Sequence, residues 1–386
     1  MKVVFISNYF NHHQQPFSDA MYQLLGDDFC FIETQPITRE RLDMGWGMDT
    51  HPPYVAPYSD QADTAVLRSR AVEEADVVII GSAPYSLVKQ RIRNKKPTFC
   101  YSERWLKEKL SLLHCISHRL RRRIRYPVGA PVYMLCASAY TAADCARFGV
   151  FRNKCYKWGY FPAVKQYSDP EKLIIAKSSS SILWAGRYLD CKHPEAAIYV
   201  AKRLKEDGYR YTLTMIGDGD QKAAIEQSAT ELGLSDHVRF FSFMKPEEVR
   251  TYMEESEIFL FTSDRREGWG AVLNESMNSG CAVIASHAIG SAPFMVSDGN
   301  NGLLFQSGNW EQLYQKVKQL LNDPAKRKEM GRNAYLTVTE QWNAETAAQR
   351  FVALSERLLL EKCAHFPFEE GVCSKAGVLE DDWYKD

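Results

Sequence analysis

Six short apolar runs recur through the second half of the chain, at 182–185 (ILWA), 212–216 (TLTMI), 238–243 (VRFFSF), 258–262 (IFLFT), 282–286 (AVIAS) and 302–305 (GLLF). Most are separated by stretches of helical period, such as 194–207 and 220–233, and Pro194 suits the first position of a helix. A run that is apolar on successive residues buries both faces of a strand. Such strands alternating with helices require a parallel sheet covered on each side. The first half repeats the pattern less regularly, with candidate strands at 2–7, 28–33, 76–81, 97–101 and 131–136. The polar stretch 164–180, ending in a serine run, reads as a linker. A helical pattern follows Trp342 as far as Glu361, and the tail from Cys363 has no period. The expected fold class is α/β: two Rossmann-like doubly wound domains facing a cleft, with ligands outside the carboxyl ends of the strands. The expected boundaries are 1–165, 166–345, and a C-terminal helix and tail, 346–386, crossing back to the N-terminal domain.

Composition narrows the function classes. At 386 residues, 45% of them hydrophobic, the chain exceeds what one core usually serves. The 48 Lys and Arg balance 48 Asp and Glu, which argues against a dedicated nucleic-acid binder. No stretch approaches the ~20 apolar residues of a membrane span. The start, Met1 to Ile6, is strand-length and unlike a signal peptide. Ten cysteines without a C-x-x-C pair read as reduced core residues. The only sequon, Asn274-Glu275-Ser276, falls in the segment assigned to the site. A cytoplasmic setting is expected.

Two constellations carry chemistry. Glu267-Gly268-Trp269-Gly270-Ala271-Val272-Leu273-Asn274-Glu275 follows one strand and opens a helix. Its glycines let backbone approach a ligand, and first-turn N–H groups with the helix dipole suit a phosphate. The two carboxylates would lie roughly 12 Å apart if all were helical, a span for the two ends of a diphosphate-linked ligand. Directly after the strand at 182–185 come Gly186-Arg187 and then Lys192. Arginine binds phosphate bidentately and lysine adds a point charge. An ordinary Gly-rich turn and two solvated cations are the plain alternatives, and their coincidence on equivalent strand ends disfavours them.

With Gly217-Asp218-Gly219, Val238-Arg239-Phe240…Phe243 and Asp298-Gly299-x-Asn301-Gly302-Leu303, these segments resemble the carboxyl-terminal domain of family 4 retaining glycosyltransferases over roughly 180–345. The resemblance implies the GT-B fold and transfer of a sugar from a nucleotide donor, a UDP-sugar by the habit of relatives. It implies no cofactor and no essential metal, and an acceptor that is a saccharide or a lipid-linked saccharide in bacterial surface-polysaccharide synthesis. Glu267 then resembles the carboxylate on the donor sugar and Glu275 the one on the ribose. Arg187 and Lys192 resemble the cations on the diphosphate, and Gly268 and Gly270 shape the loop. The backbone at Val272 and Leu273 would meet phosphate, and that at Met244 the base.

Two departures stand out. The loop after the first strand, Asn8 to Pro16, has no glycine; His12 or His13 there is a candidate for acceptor or phosphate contact, beside the plain reading of an exposed loop histidine. Phe294 replaces a glutamate common in the family, and no donor contact is assigned to it. Independently of the family, residues 89–125 hold thirteen Lys and Arg against two Glu. Arg119-Leu120-Arg121-Arg122-Arg123-Ile124-Arg125 follows the apolar Leu110, Leu112, Leu113 and Ile116. A basic amphipathic stretch of this kind suits a peripheral membrane surface, against the plain reading of a solvated face. The rival functions are a sugar-nucleotide epimerase on the same fold and a non-catalytic sugar-nucleotide binder at the membrane. No pyridoxal-binding lysine of a phosphorylase is recognisable, and no G-x-G-x-x-G for hydride transfer follows either first strand.

Overall fold

The computed structural model describes residues 1–43, 47, 50–108, 112–360 and 368–384. Among them the chain divides into two compact units, Met1–Ala163 with Trp342–Glu380, and Val164–Gln341 with the residues from Asp381 onward. The helix Ala344–Leu359 thus returns to the first unit, where Phe351 packs on Phe17 and Phe99. Glu361 and Cys363 lie outside the described residues.

The first unit holds strands β1 (Val3–Ser7), β2 (Phe29–Glu33), β3 (Val55–Ala56), β4 (Val77–Ile80), β5 (Thr98–Ser102), β6 (Val132–Cys136) and β7 (Cys155–Lys157). All are parallel, in the order β3-β2-β1-β4-β5-β6-β7. The second holds β8 (Ser178–Ala185), β9 (Thr212–Ile216), β10 (Val238–Phe241), β11 (Ser256–Phe261), β12 (Ala282–Ser286) and β13 (Gly302–Phe305). These are also parallel, in the order β10-β9-β8-β11-β12-β13. Both sheets therefore run outward from their first strand, return, and continue on its other side. That reversal between the first and fourth strands is where a doubly wound sheet opens a crevice at its carboxyl edge.

Every residue of β1, β4, β6, β11, β12 and β13 is buried, as strands sandwiched between helices require. One expectation needed correction. The serine run is no linker: Ser178 to Ser181 begin β8, and a short helix, Pro170–Ile175, precedes them. Their polarity has a structural cause. The amino end of β8 is exposed, Ser180 sits at φ 56°, and its N–H donates to the Glu257 carboxylate at 2.6 Å. The tail, too, has a place. Its Cys373 and Ala376 N–H groups donate to the carbonyls of Lys157 and Cys155, covering the β7 edge.

Candidate active site

The carboxyl ends of β8 and β11, neighbours across the reversal of the second sheet, carry the two sequence constellations. β8, β9 and β10 end in register, with Ala185 opposite Ile216 and Ile216 opposite Phe241. The loops that follow them are stacked closely. Gly217 has φ 138°, and a Cβ there would lie 2.0 Å from the Gly186 carbonyl, so only glycine lets the β9 loop rest on the β8 loop. Asp218 then ties this loop to the next, accepting from the Phe243 N–H at 2.6 Å and from Lys222 at 2.9 Å. Met244 follows directly, half-buried.

The β8 and β11 loops are clasped by charge. The Lys192 ammonium donates to the Glu267 carboxylate, which also accepts from Ser263 Oγ at 3.1 Å. Thr262 Oγ1 donates to the Lys192 carbonyl at 2.6 Å, and the Asp264 N–H to the Cys191 carbonyl at 3.0 Å. Arg266 spans Asp264 and Asp190, each at 2.6 Å. His193 lies between Glu195 (2.8 Å) and Asp264 (3.3 Å). The hydrogen bond that the His193 ring donates to Glu195 raises its pKa from the ordinary value, against partial burial, with Asp264 adding to the effect. Arg266 holds the Asp264 carboxyl below its usual range, against the opposing effect of burial. Amid these ties the Arg187 side chain is exposed and makes no hydrogen bond or ion pair among the described residues.

Gly270 turns the chain into the helix Val272–Asn278. It has φ 85°, and a Cβ would meet the Phe261 ring at 2.3 Å. Gly268 and Trp269 beside it are buried, and the Trp269 indole donates to Asn274 Oδ1 at 2.9 Å. The sequon asparagine is therefore spent inside the protein. The segment from Glu267 to Glu275 is not continuous helix, so the helical spacing of the two carboxylates does not apply; a turn through Gly270 separates them. The Leu273 N–H already donates to the Gly270 carbonyl at 3.0 Å, leaving Val272 the better placed of the two backbone groups assigned to phosphate. Burial pushes the Glu275 carboxyl up, with Arg250 opposing, and it has no hydrogen-bond partner among the described residues.

In the first unit, His12 and His13 follow β1, their rings 4.0 Å apart. The His13 ring also stacks 6.1 Å from Tyr160, whose hydroxyl donates to Glu103 at 2.7 Å. Desolvation pushes the His13 pKa down to about 3, with the charges of His12 and Arg41 adding to the effect. His13 is therefore a neutral half-buried ring at pH 7, not an exposed loop side chain. Sequence reasoning brought Arg187, Lys192 and Glu267 to adjacent strand ends. It missed Asp190, His193, Asp264 and Arg266, although His193 carried a signal as the residue before Pro194, held at φ 49°.

Residues 166–337 match the family described as glycosyl transferases group 1. Among curated relatives, the lipopolysaccharide core biosynthesis glycosyltransferase LpsE of Rhizobium meliloti is 26% identical over 186 residues, 48% of this chain and 52% of that one. The chain spans about half the length of the curated relatives it matches. Among solved structures, Anabaena HepE in complex with UDP superposes with a TM-score of 0.67 at 14% identity, covering 92% of this chain and 99% of that one. A glycosyltransferase from Rickettsia africae does so with a TM-score of 0.63 at 14% identity, covering 94% and 99%. At such identities the likeness establishes the fold: two Rossmann-like units of the GT-B kind. The segment that carries the candidate site is thus similar to the glycosyl transferases of group 1, and the chain shares its two-sheet fold with a solved glycosyltransferase.

Proposed function

We propose that the chain transfers a sugar from a nucleotide-sugar donor to a saccharide hydroxyl. The observation that carries this reading is the Lys192–Glu267 pair clasping the β8 and β11 strand ends, with the Arg187 side chain exposed just after β8 and Glu275 on the helix that follows β11. A departing diphosphate develops negative charge. Arg187 would take its oxygens bidentately, and Lys192, already held by its pairing with Glu267, would add a positive charge. Glu267 would turn to the hydroxyls of the sugar, and Glu275 to those of the ribose. Met244 backbone would meet the base, and Val272 a phosphate.

A UDP-sugar is the proposed donor, in keeping with the UDP bound by HepE. The reaction proposed is retaining: the acceptor hydroxyl attacks from the face the leaving group vacates, and a diphosphate oxygen takes its proton. No side-chain nucleophile and no metal is assigned. The first unit is assigned the acceptor, with His12 and His13 at its β1 loop, and the acceptor is a saccharide or lipid-linked saccharide of surface-polysaccharide synthesis. The name of LpsE supports that setting.

Thermal unfolding with UDP, GDP, ADP and TDP, without and then with magnesium, tests the donor site. A ligand at ~100 times its dissociation constant adds about 2.7 kcal/mol. A metal-independent shift with UDP, abolished by Arg187→Ala, is expected. No shift with any nucleotide would overturn the reading. Product analysis with a UDP-sugar alone then separates transfer from epimerisation, which needs no acceptor.

A further inference from the structure

One helix of the first unit is amphipathic in an inverted sense. Leu112–Arg125 contains no acidic residue. At 3.6 residues per turn each residue advances about 100°, so Ile116, Leu120 and Ile124 fall within about 80° of one another. All three are exposed, at 66%, 64% and 71%. The opposite side is the packed one. There the Arg122 guanidinium lies 3.6 Å over the Trp105 ring and 4.8 Å over Phe148, and the His118 ring is 6.4 Å from Phe148. Arg125 stands over Tyr85 at 5.3 Å. Cations on aromatic rings thus hold the helix down while its aliphatic side chains face outward. Leu110 lies outside the described residues, as do the side chains of Leu112 and Leu113.

The aliphatic stripe is bordered by charge. Arg119 and Arg121 are exposed on either side of it, and Val128, 73% exposed, lies just beyond the end of the helix. The adjoining helix Ser86–Arg93 adds exposed Lys89 and Arg93, and the Tyr85 hydroxyl just before it donates to the Arg125 carbonyl at 2.9 Å. We propose that this face docks on an anionic lipid bilayer, with Ile116, Leu120 and Ile124 entering the acyl boundary while the flanking arginines meet lipid phosphates. Charge complementarity selects the occupant: an aliphatic stripe within an all-basic helix matches a surface that is apolar below and anionic above. Single-stranded RNA calls for exposed rings on which bases stack, and the outer face of this helix presents none among its described side chains.

The test is co-sedimentation of the full chain with vesicles of phosphatidylcholine alone and of phosphatidylcholine with phosphatidylglycerol. Selective, salt-sensitive binding to the anionic vesicles is expected. Leu120→Ser with Ile124→Ser should weaken it about tenfold or more, as should Arg119→Gln with Arg121→Gln. All four positions are exposed, so melting temperature and any nucleotide-induced shift should stay at wild-type values, which separates this proposal from the donor-site reading. Equal binding to both vesicle types, no binding to either, or indifference to the serine pair would overturn it. So would RNA binding that the serine pair leaves intact while vesicle binding is absent.

Discussion

The two sheets reverse direction at equivalent strands, yet the carboxyl edges at those reversals are built differently. At β8 and β11 the loops are bound to each other by Lys192–Glu267, Arg266–Asp190 and His193–Asp264, and one arginine is left exposed. At β1 the loop is closed by its own backbone, by rings and by one buried carboxylate, Glu33, which accepts from the Phe10 N–H at 2.7 Å. The Gln14 and Gln15 N–H groups both donate to the Asn11 carbonyl at 3.0 Å, Tyr9 and Phe10 are buried, and His13 is kept neutral. The same topology therefore carries a loop clasped by ion pairs at one edge and a loop packed around aromatic rings at the other. Fold supplies the place, and loop chemistry supplies the ligand class.

The comparison breaks most sharply at Glu267. Glu267→Gln should lower turnover by about 10²–10³-fold while leaving the UDP-induced melting shift nearly intact. Equal loss of turnover and nucleotide binding would remove its assigned role. Gly270→Ala comes next. The required φ and the Phe261 ring leave no room for a methyl group, so stability should fall by about 1–3 kcal/mol in denaturant titration. A neutral result would mean that the turn need not hold its shape.

Acidification sets the two edges against each other. Protonating His13 is opposed in the folded state, so between pH 6.5 and about 3 the unfolded chain binds more protons and stability falls as pH falls. From pH 6.5 to pH 5 this amounts to about 2 kcal/mol, and His13→Asn should remove it. His193 has the reverse sign. Its raised pKa contributes stability that is fully present below pH 6.5 and lost as pH rises through the folded value. His193→Asn should therefore flatten the stability profile just above pH 6.5, the smallest of these effects, about 1 kcal/mol or less. Denaturation of both variants across pH 5 to 8 would show whether the opposite slopes belong to these two rings.

Much of this was legible in residue order. Strands buried on both faces announce themselves as apolar runs, which is why β8 to β13 could be read from the sequence. β3 and β7, of two and three residues, are too short to show a pattern and depend on their neighbours for definition. Ser178 to Ser181 misled for a related reason: their hydrogen bonds come from Glu257 and β11, more than seventy residues away. Within the site, Arg187, Lys192 and Glu267 were readable as charges directly following strands. Asp264, Arg266 and His193 were not, because a loop charge acquires a role only from the partner set opposite it.

The sequence by itself determined that this chain would form two parallel sheets and which strand ends would carry cations and carboxylates, since burial on both faces and the strand-to-helix rhythm are local properties. Tertiary structure alone decided that Lys192 meets Glu267, that burial raises the Glu275 carboxyl, and that Ile116, Leu120 and Ile124 face outward. Those outcomes depend on which distant side chains share a few ångströms, and pairing across tens of residues leaves no periodic trace in the order of the chain.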